Sequence, residues 1–385
     1  MKSITKCVSA ISVLTIAIIP ASSAMAQAPS SSGPAEAADA NSLGDIVVTA
    51  RRRSESLQRV PVAVTAQTGL QLERSGIHDL MDLNRSTPSL SISASSRGSN
   101  VPNVVIRGQR QIDTGINTDP AVVLYENELP FVRPNGLNGS FYDIESVQVL
   151  RGPQGTLFGR NTTGGALLIT TNRPTDKVQG RIAGSVGNFA FWDGEAMLNL
   201  PIGEGIALRV AGKITRRDGY MHDRVSGREA NNVKNDGERA TLRIDRGIVT
   251  SDFMYERFFG TNNGTFNQIF GVVGPFAASL SAEVAANRSN PYTYVNNTPG
   301  EETSKAETFG NITTLRLADE ISLKNIIGWR NVSSFSRQDF DGSSAFLLSN
   351  DGVTHVRQFS NELQLSGKSG NLDWVGGIVL FQRAW

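Results

Sequence analysis

In the segment GIALRVAGKIT the side chains change character at every residue. Ile206, Leu208, Val210, Gly212 and Ile214 fall on one face, and Ala207, Arg209, Ala211, Lys213 and Thr215 on the other. RATLRIDR repeats the pattern with Leu242 and Ile244 against Thr241, Arg243 and Asp245. FSNELQLSG sets Phe359, Leu363 and Leu365 against Ser360, Glu362 and Gln364. A period of two sustained this long commits each segment to a strand with one apolar and one polar face. About nine such strands follow Arg173-Pro174, and helical periodicity disappears there.

Two architectures use strands of this kind, a soluble sandwich and a membrane barrel. The connections separate them. PIGEG, the RGIVTS region, LADEI and GKSGN are brief turns. They alternate with long polar connections: GYMHDRVSGREANNVKNDGE, the stretch from GTNNG to TSKAE, and SRQDFDGSSAFLLSNDG. Apart from a tight first hairpin near Asn188, long and short connections fall on opposite ends of the strands. Outer-membrane barrels sort their loops in this way, with short periplasmic turns and long extracellular loops. A sandwich has no reason to.

The N-terminus fits an exported protein. Lys2 and Lys6 precede the apolar run VSAISVLTIAII, which is followed by Pro20 and a small-x-small site at Ala24-Met25-Ala26. This reads as a signal peptide over residues 1–26, too short to span a bilayer. Cys7, the single cysteine, lies inside it, so neither disulfides nor cysteine metal sites are available to the mature chain. Loss of Lys2 and Lys6 takes the formal charge from +1 to −1, because residues 1–26 contain no acid. That balance gives no case for nucleic acid. His78, His222 and His355 have no ligand spacing, so neither a metal nor another cofactor is expected.

Residues 27–44, QAPSSSGPAEAADANSLG, read as a flexible leader. DIVVTARRR (45–53) follows, with the strong strand formers Ile46, Val47, Val48 and Thr49. Its pattern suits an ordinary first strand or a peptide that adds itself to a partner's sheet edge. Residues 54–175 have α/β character and domain size. VPVAVTAQ, NVVIRG, AVVLYENELP, VQVLRG and ALLITTNRP are strand candidates, and GLQLERSG and IHDLMDLNRSTPSL are helix candidates.

Within that domain, VQVLRGPQGTLFGRNTTGGALLITT poses a question, because glycine-rich loops cradle phosphates. A P-loop needs Lys and Ser/Thr after its last glycine, at the start of a helix. Here Gly159 leads through Arg160 to Gly164-Gly165 and a further strand, and Gly152, Gly155 and Gly159 do not make G-x-G-x-x-G. The glycines instead serve tight turning and close packing.

VQVLRGPQGTLFGRNTTGGALLITTNRP resembles the plug-domain signature of TonB-dependent outer-membrane receptors. DIVVTARRR resembles their TonB box, NVVIRGQ an inner plug strand, and QFSNELQLSGKSGNLDWVGGIVLF a mid-barrel hairpin. The resemblance implies a mostly β chain with a small α/β plug. After the plug, residues 176–385 would form the first nine or so antiparallel strands of a 22-stranded outer-membrane barrel. It implies TonB-dependent uptake of a scarce ligand, an iron–siderophore chelate being the commonest cargo, driven by the TonB–ExbB–ExbD complex through Asp45, Ile46, Val47, Val48, Thr49 and Ala50. The expected surroundings are outer-membrane lipid. Arg107, Gly108, Arg151, Gly152, Pro153, Gly155, Gly159, Arg160, Gly164 and Gly165 would form the plug framework, its arginines pairing with barrel acids. Arg110, Asp113, Asn117, Arg133 and Asn135, on loops expected to face outward, are candidate ligand contacts. Tyr125-Glu126-Asn127-Glu128 departs from the Asp-Gly turn of many relatives.

Nine strands in place of twenty-two suggest a truncated receptor or a non-functional fragment. The rival readings are a passive porin or adhesin, a signal-transducing receptor with an extra N-terminal domain, and a secreted hydrolase. The last needs a catalytic constellation, and no such motif occurs, so no enzyme is expected.

Overall fold

The structure, a computed structural model, describes residues 47–49, 52, 55–95, 98–110, 119–133, 136 and 139–384. The expected signal peptide and leader lie outside these residues, as do Asp45, Ile46, Ala50, Asp113, Asn117 and Asn135.

The first part is the small α/β domain. In chain order it holds β1 (Val47–Val48), β2 (Glu55–Ser56), β3 (Val64–Thr68), helix α1 (Gly69–Arg74), β4 (Leu90–Ser95), β5 (Gly98–Ile106), β6 (Val122–Glu126), β7 (Leu129–Phe131), β8 (Ile144–Arg151), the one-turn helix α2 (Gly155–Phe158) and β9 (Gly165–Thr171). Five of the strands make a mixed sheet in the order β3-β8-β9-β6-β7, so β3 and β7 are its edges. On one face Val122, Leu124, Val149 and Leu167 pack with Leu72, Leu80, Leu83 and Ile106. On the other, Val123, Tyr125, Leu150 and Leu168 pack with Val48 and Phe158. A sheet covered on both faces needs unbroken apolar runs, and VVLY and ALLI supply them.

Thr68 caps α1 in a capping box, its hydroxyl accepting from the Gln71 backbone while the Gln71 side chain accepts from the Thr68 N–H. The second expected helix shrinks to a 3-10 segment, Met81–Arg85. Asp79 and Asp82 explain the loss. Asp82 accepts from the backbone of His78 and Asp79, and Asp79 accepts from the Asp82 N–H, so side chains satisfy the turn locally.

The second part is one antiparallel sheet of nine strands in chain order, here called the wall. It runs through β10 (Gln179–Gly187), β11 (Phe191–Gly203) and β12 (Ile206–Arg217). A connection carrying β13 (Met221–Asp223) and β14 (Glu229–Ala230) then leads to β15 (Val233–Asp245) and β16 (Val249–Asn262). A second connection carries α3 (Ala277–Ser289) and β17 (Thr293–Tyr294). Last come β18 (Glu301–Ala318), β19 (Ile321–Asp339), β20 (Ser349–Ser369) and β21 (Leu372–Ala384). The strand count and the alternation of long and short connections match the sequence reading. The tight first hairpin turns on Phe189 and Ala190, both at positive φ.

The wall is apolar outside and mixed inside, where buried charges stand beside Phe258, Val332 and Val356. Phe253, Phe309, Leu363 and Ile378 are exposed on its outward face, while Arg209, Arg239, Glu256 and Arg330 are buried on the inward face. Tyr255, Phe309, Trp329 and Phe359 stand directly opposite one another on β16, β18, β19 and β20. Ring centroids are 4.7 Å apart for Tyr255–Phe309 and 5.6 Å for Phe309–Trp329. Arg257 and Glu307 follow towards the long connections. An aromatic row between an apolar band and charged residues is the signature of a membrane interface. Strands such as the 21-residue β20 exceed the roughly 9–11 residues that a crossing needs. The surplus extends past the charged row.

One expectation fails here. Helical structure was expected to stop after Pro174, yet α3 occupies the second long connection. AASLSAEVAANRS has no apolar stripe, and its many alanines supply helix propensity instead.

Candidate functional site

The small domain packs on the inward face of the wall, and three features of that boundary carry chemistry. The first is the N-terminal strand. Among the described residues β1 pairs with β2 alone, over two residues. Val48 is fully buried with Val123, Tyr125 and Leu150. The Thr49 N–H donates to Gln148 Oε1 at 2.9 Å. Arg52 then joins three bodies. Its Nε donates to the Leu157 carbonyl at 3.1 Å, its guanidinium lies 5.1 Å from the Tyr125 ring and 4.6 Å from that of Phe158, and it pairs with Glu362 of β20 at 3.3 Å.

The second is the β6–β7 hairpin, which docks into the wall like a finger. Asn127 and Glu128 turn it with φ of 48° and 67°, the two positive values that a two-residue hairpin turn requires. Glu128 pairs with Lys324 of β19 at 2.7 Å. Burial pushes the Glu128 carboxyl up, but Lys324 outweighs it and holds it below the usual carboxylate range. Leu129 fills the space left by two wall glycines. A Cβ on Gly310 or Gly328 would stand 2.7 or 2.8 Å from a Leu129 methyl. Phe131 lies under the Arg330 guanidinium at 4.0 Å.

Beside the turn, Glu126 and the wall residues Arg239 and Glu256 form a buried cluster. Arg239 donates to Glu126 at 2.9 Å, to Glu256 at 2.8 Å, and to the Ser140 and Tyr142 carbonyls at 3.1 and 3.2 Å. Burial, and then the charge of Glu256, push the Glu126 carboxyl well above its usual range. Glu126 Oε2 has no hydrogen-bond partner among the described residues, and Glu256 shares Arg239 with it. A protonated Glu126 satisfies these observations.

These contacts reverse the expected polarity. The framework arginines were expected to pair with barrel acids; instead the small domain supplies Glu126, Glu128 and Asp143, and the wall supplies Arg239, Lys324 and Arg209. Arg160 lies 3.9 Å from Asp119 of its own domain, and Arg107 sits beside Gly152. The local reason is placement. Arg107, Arg151 and Arg160 flank the glycine loop, whereas the wall-facing hairpin is acidic. The departure at Tyr125–Glu128 was the one visible sign of it.

In the glycine loop the backbone donors are consumed internally. Gly152 N–H donates to the Gly164 carbonyl, Gln154 to Thr162, and Gly164 to Ala121. No phosphate cradle is formed there. Gly165 has φ +146°, and a Cβ on it would stand 2.1 Å from the Leu150 carbonyl oxygen. Gly155, by contrast, has open space around it. Of the candidate ligand contacts, Arg110 is exposed. Arg133 is buried, with its carbonyl accepting from Arg330 at 2.7 Å, so it does not face outward as expected.

The third feature is a cavity of about 470 Å³ between α1 and the inward faces of β10, β11 and β12. Glu73 pairs across it with Arg181 at 2.5 Å, and Lys213 reaches both Asp193 at 3.9 Å and the His78 carbonyl at 2.7 Å. Arg209 and Asp143 close one rim with a bidentate pair.

Comparison with known proteins agrees with this geometry. Residues 56–166 match the TonB-dependent Receptor Plug Domain family. The chain is 30% identical over 161 residues to the pesticin receptor of Yersinia pestis, covering 42% of this chain and 23% of that protein. It is 27% identical over 188 residues to an iron-regulated outer membrane virulence protein of Vibrio cholerae, covering 45% and 28%. Among solved structures, the ferric yersiniabactin uptake receptor FyuA from Yersinia pestis superposes with a TM-score of 0.68 at 20% identity, over 84% of this chain and 48% of that one. The siderophore receptor PiuA from Acinetobacter baumannii gives 0.66 at 15% identity, over 87% and 47%. The chain thus spans about half the length of these solved relatives.

Proposed function

Because the chain belongs to the TonB-dependent outer-membrane receptors, as their plug and the first strands of their barrel, we propose that it serves active uptake of a scarce small molecule. An iron–siderophore chelate is the cargo class that its relatives' names favour. Energy comes from the TonB–ExbB–ExbD complex, acting on Asp45 to Ala50.

The observation that carries this reading is the state of β1. Its ladder to β2 is two residues long, and its other edge has no strand beside it among the described residues. A strand with one open edge suits pairing with a partner's backbone. Among the described residues its other anchors are the buried Val48, the Thr49 N–H bond to Gln148, and Arg52, which holds Glu362, the Leu157 carbonyl and the Tyr125 and Phe158 rings. Ligand binding need shift only that small set of contacts to expose the segment, provided that it favours the released state. A passive porin has no use for such a strand or for a domain filling its lumen.

Deleting residues 45–50 tests the reading. Uptake of ferric siderophores under iron limitation is expected to fall to background while binding at the cell surface persists. Undiminished uptake would favour the passive reading.

A further inference from the structure

We propose that the outward face of the wall holds one lipid of the outer leaflet in a fixed place, its phosphorylated sugar headgroup resting on Asp236, Glu238, Arg257 and Lys305. Two rows of residues lie just past the aromatic row, towards the long connections. In the first, Gly212, Glu238, Arg257 and Glu307 stand directly opposite one another on β12, β15, β16 and β18. In the second, Ile214, Asp236, Phe259 and Lys305 do so. Long connections belong to the extracellular side of such barrels, so these rows meet the headgroups of the outer leaflet.

Two grooves open on this face. One, of about 550 Å³, runs over β11 and β12, lined by Trp192, Gly194, Gly212, Ile214 and Phe259, with Asp236, Glu238 and Arg257 along its charged flank. The other, of about 420 Å³, lies at the aromatic row and below it, among Leu208, Leu242, Phe253, Tyr255 and Trp329. They adjoin on β15 and β16, where Ala240 and Tyr255 form the row next to Glu238 and Arg257. Both have the volume of small-molecule sites. A Cβ on Gly194 would meet nothing within 4 Å, so no protein group accounts for the bare floor of the first groove. Hydrocarbon fills such grooves on a lipid-facing wall, and two of them suit a lipid with several chains.

The charges decide the headgroup. Arg257 lies 3.2 Å from Glu238, and Arg216 of β12 lies 2.6 Å from Asp236. Lys305 is exposed and stands 5.4 Å from the Phe259 ring. Exposed pairs of this kind are worth little and open easily. The cations are therefore free to turn to phosphates, and the carboxylates to accept from hydroxyls. From Arg216 on β12 to Lys305 on β18 is three strand spacings, about 14 Å. One phosphate cannot meet both ends. A sugar headgroup with a phosphate at each end can, while its hydroxyls reach the acids between them.

The test uses the intact receptor, extracted from outer membranes in mild detergent, with lipid A as the probe and native mass spectrometry to count it. Wild type is expected to retain one lipid A through washing. Arg257→Ala combined with Lys305→Ala should lower retention at least tenfold, and Gly194→Leu, which fills the first groove, at least threefold. Arg357→Ala removes a cation of the same row on β20 and should leave retention unchanged. The heat-dependent gel shift checks that each barrel is intact. Should the double variant lose that shift, Lys305→Met alone decides, with a threefold loss of retention expected. Full retention in the charge variants overturns the headgroup site, and full retention in Gly194→Leu overturns the groove. An equal loss from Arg357→Ala shows diffuse attraction and overturns the fixed place. Displacement by the same concentration of phosphatidylethanolamine or phosphatidylglycerol overturns the choice of a phosphorylated sugar. The uptake reading is tested apart from all of these, on residues 45–50.

Discussion

β6 of the plug and β16 of the wall have ordinary strand geometry and bury opposite things. All five residues of β6 are buried, four of them apolar, because protein covers both faces of its sheet. In β16, Phe253 stands exposed on the outward face while Asp252 and Glu256 are buried inward. Burial in the plug removes apolar groups from water. In the wall it hides charged groups beside apolar ones such as Met254 and Phe258 behind the plug, and leaves the outward apolar groups to lipid. The same substitution should therefore act differently on the two sides, and glycines should be irreplaceable in one region and idle in the other.

The largest effect is expected at Gly165. Alanine there meets the Leu150 carbonyl oxygen at 2.1 Å in a backbone conformation that L-residues rarely adopt. Since β8 and β9 form the centre of the plug sheet, no flexible side chain can yield. A loss of about 3–5 kcal/mol is expected, comparable to the whole stability of a small domain. Rapid trypsin cleavage of the plug in outer-membrane fractions would report it. Wild-type resistance would show that the plug core tolerates what close packing forbids.

Leu363→Arg attacks the wall from its lipid side. Leu363 is 42% exposed on β20, outward and four residues beyond the aromatic Phe359. A cation near mid-membrane on this face costs about 2–4 kcal/mol. Reduced heat-modifiability of the barrel on gels is the expected readout. A normal shift would mean that this face meets water, and the inside-out assignment would fall.

Glu126→Ala sharpens the contrast from the boundary itself. It leaves Arg239 buried with Glu256 as its one remaining carboxylate partner, at a cost of about 2–3 kcal/mol. Glu126→Gln keeps the shape and a donor, and is expected to be nearly neutral. The pH dependence separates the two roles. A carboxyl held above its usual range contributes stability that is complete below its unfolded pKa of about 4.3 and is lost as pH rises through the folded value. Glu128, held low, contributes above its unfolded value and loses that as pH falls. The difference between wild type and Glu126→Gln isolates the first group. In urea titrations wild type should lose plug stability relative to the variant as pH rises from 5, by up to about 1.4 kcal/mol per unit. Parallel curves would rule out a protonated Glu126.

How far these features were legible follows from their range along the chain. Wall strands declare themselves within ten residues, because a period of two is a local signal, and the sorting of short and long connections shows over neighbouring segments. The plug's glycine loop was readable for the same reason. Its partners Gly152, Gly164 and Gly165 lie within one motif. The finger was not, because Glu126 meets Arg239 113 residues later and Glu128 meets Lys324 196 residues later. Nothing local marks Arg133 as buried, since its environment is built by Arg330 of β19. α3 escaped because its packing asks for no apolar stripe. Chemistry within a motif could be read from one sequence, and chemistry between motifs required coordinates.

A smaller effect is expected at the tether. Glu362→Gln removes the charge facing Arg52 and leaves the aromatic contacts and the Leu157 hydrogen bond in place. With side chains only 8% and 14% exposed, the pair is worth more than a surface bridge, about 1–2 kcal/mol. Crosslinking of Val47→Cys to TonB without ligand should rise roughly tenfold, since 1.4 kcal/mol is a factor of ten. An unchanged yield would mean that the ladder to β2, rather than Arg52, keeps β1 in place.

The smallest effect completes the comparison with Gly165. Gly194 sits on β11 opposite Gly184 and Ile214, on the wall's outward side, and a Cβ built there meets nothing within 4 Å. Its φ is not positive, so alanine needs no unusual backbone. Removing a glycine from a strand also lowers the entropy of the unfolded chain, which favours the variant slightly. Gly194→Ala should shift stability by less than about 0.5 kcal/mol, to either side of zero. If it instead unfolds the wall, outward glycines are contact points for something packed against that face, and the division between a crowded plug and an open outer surface would need redrawing at β11.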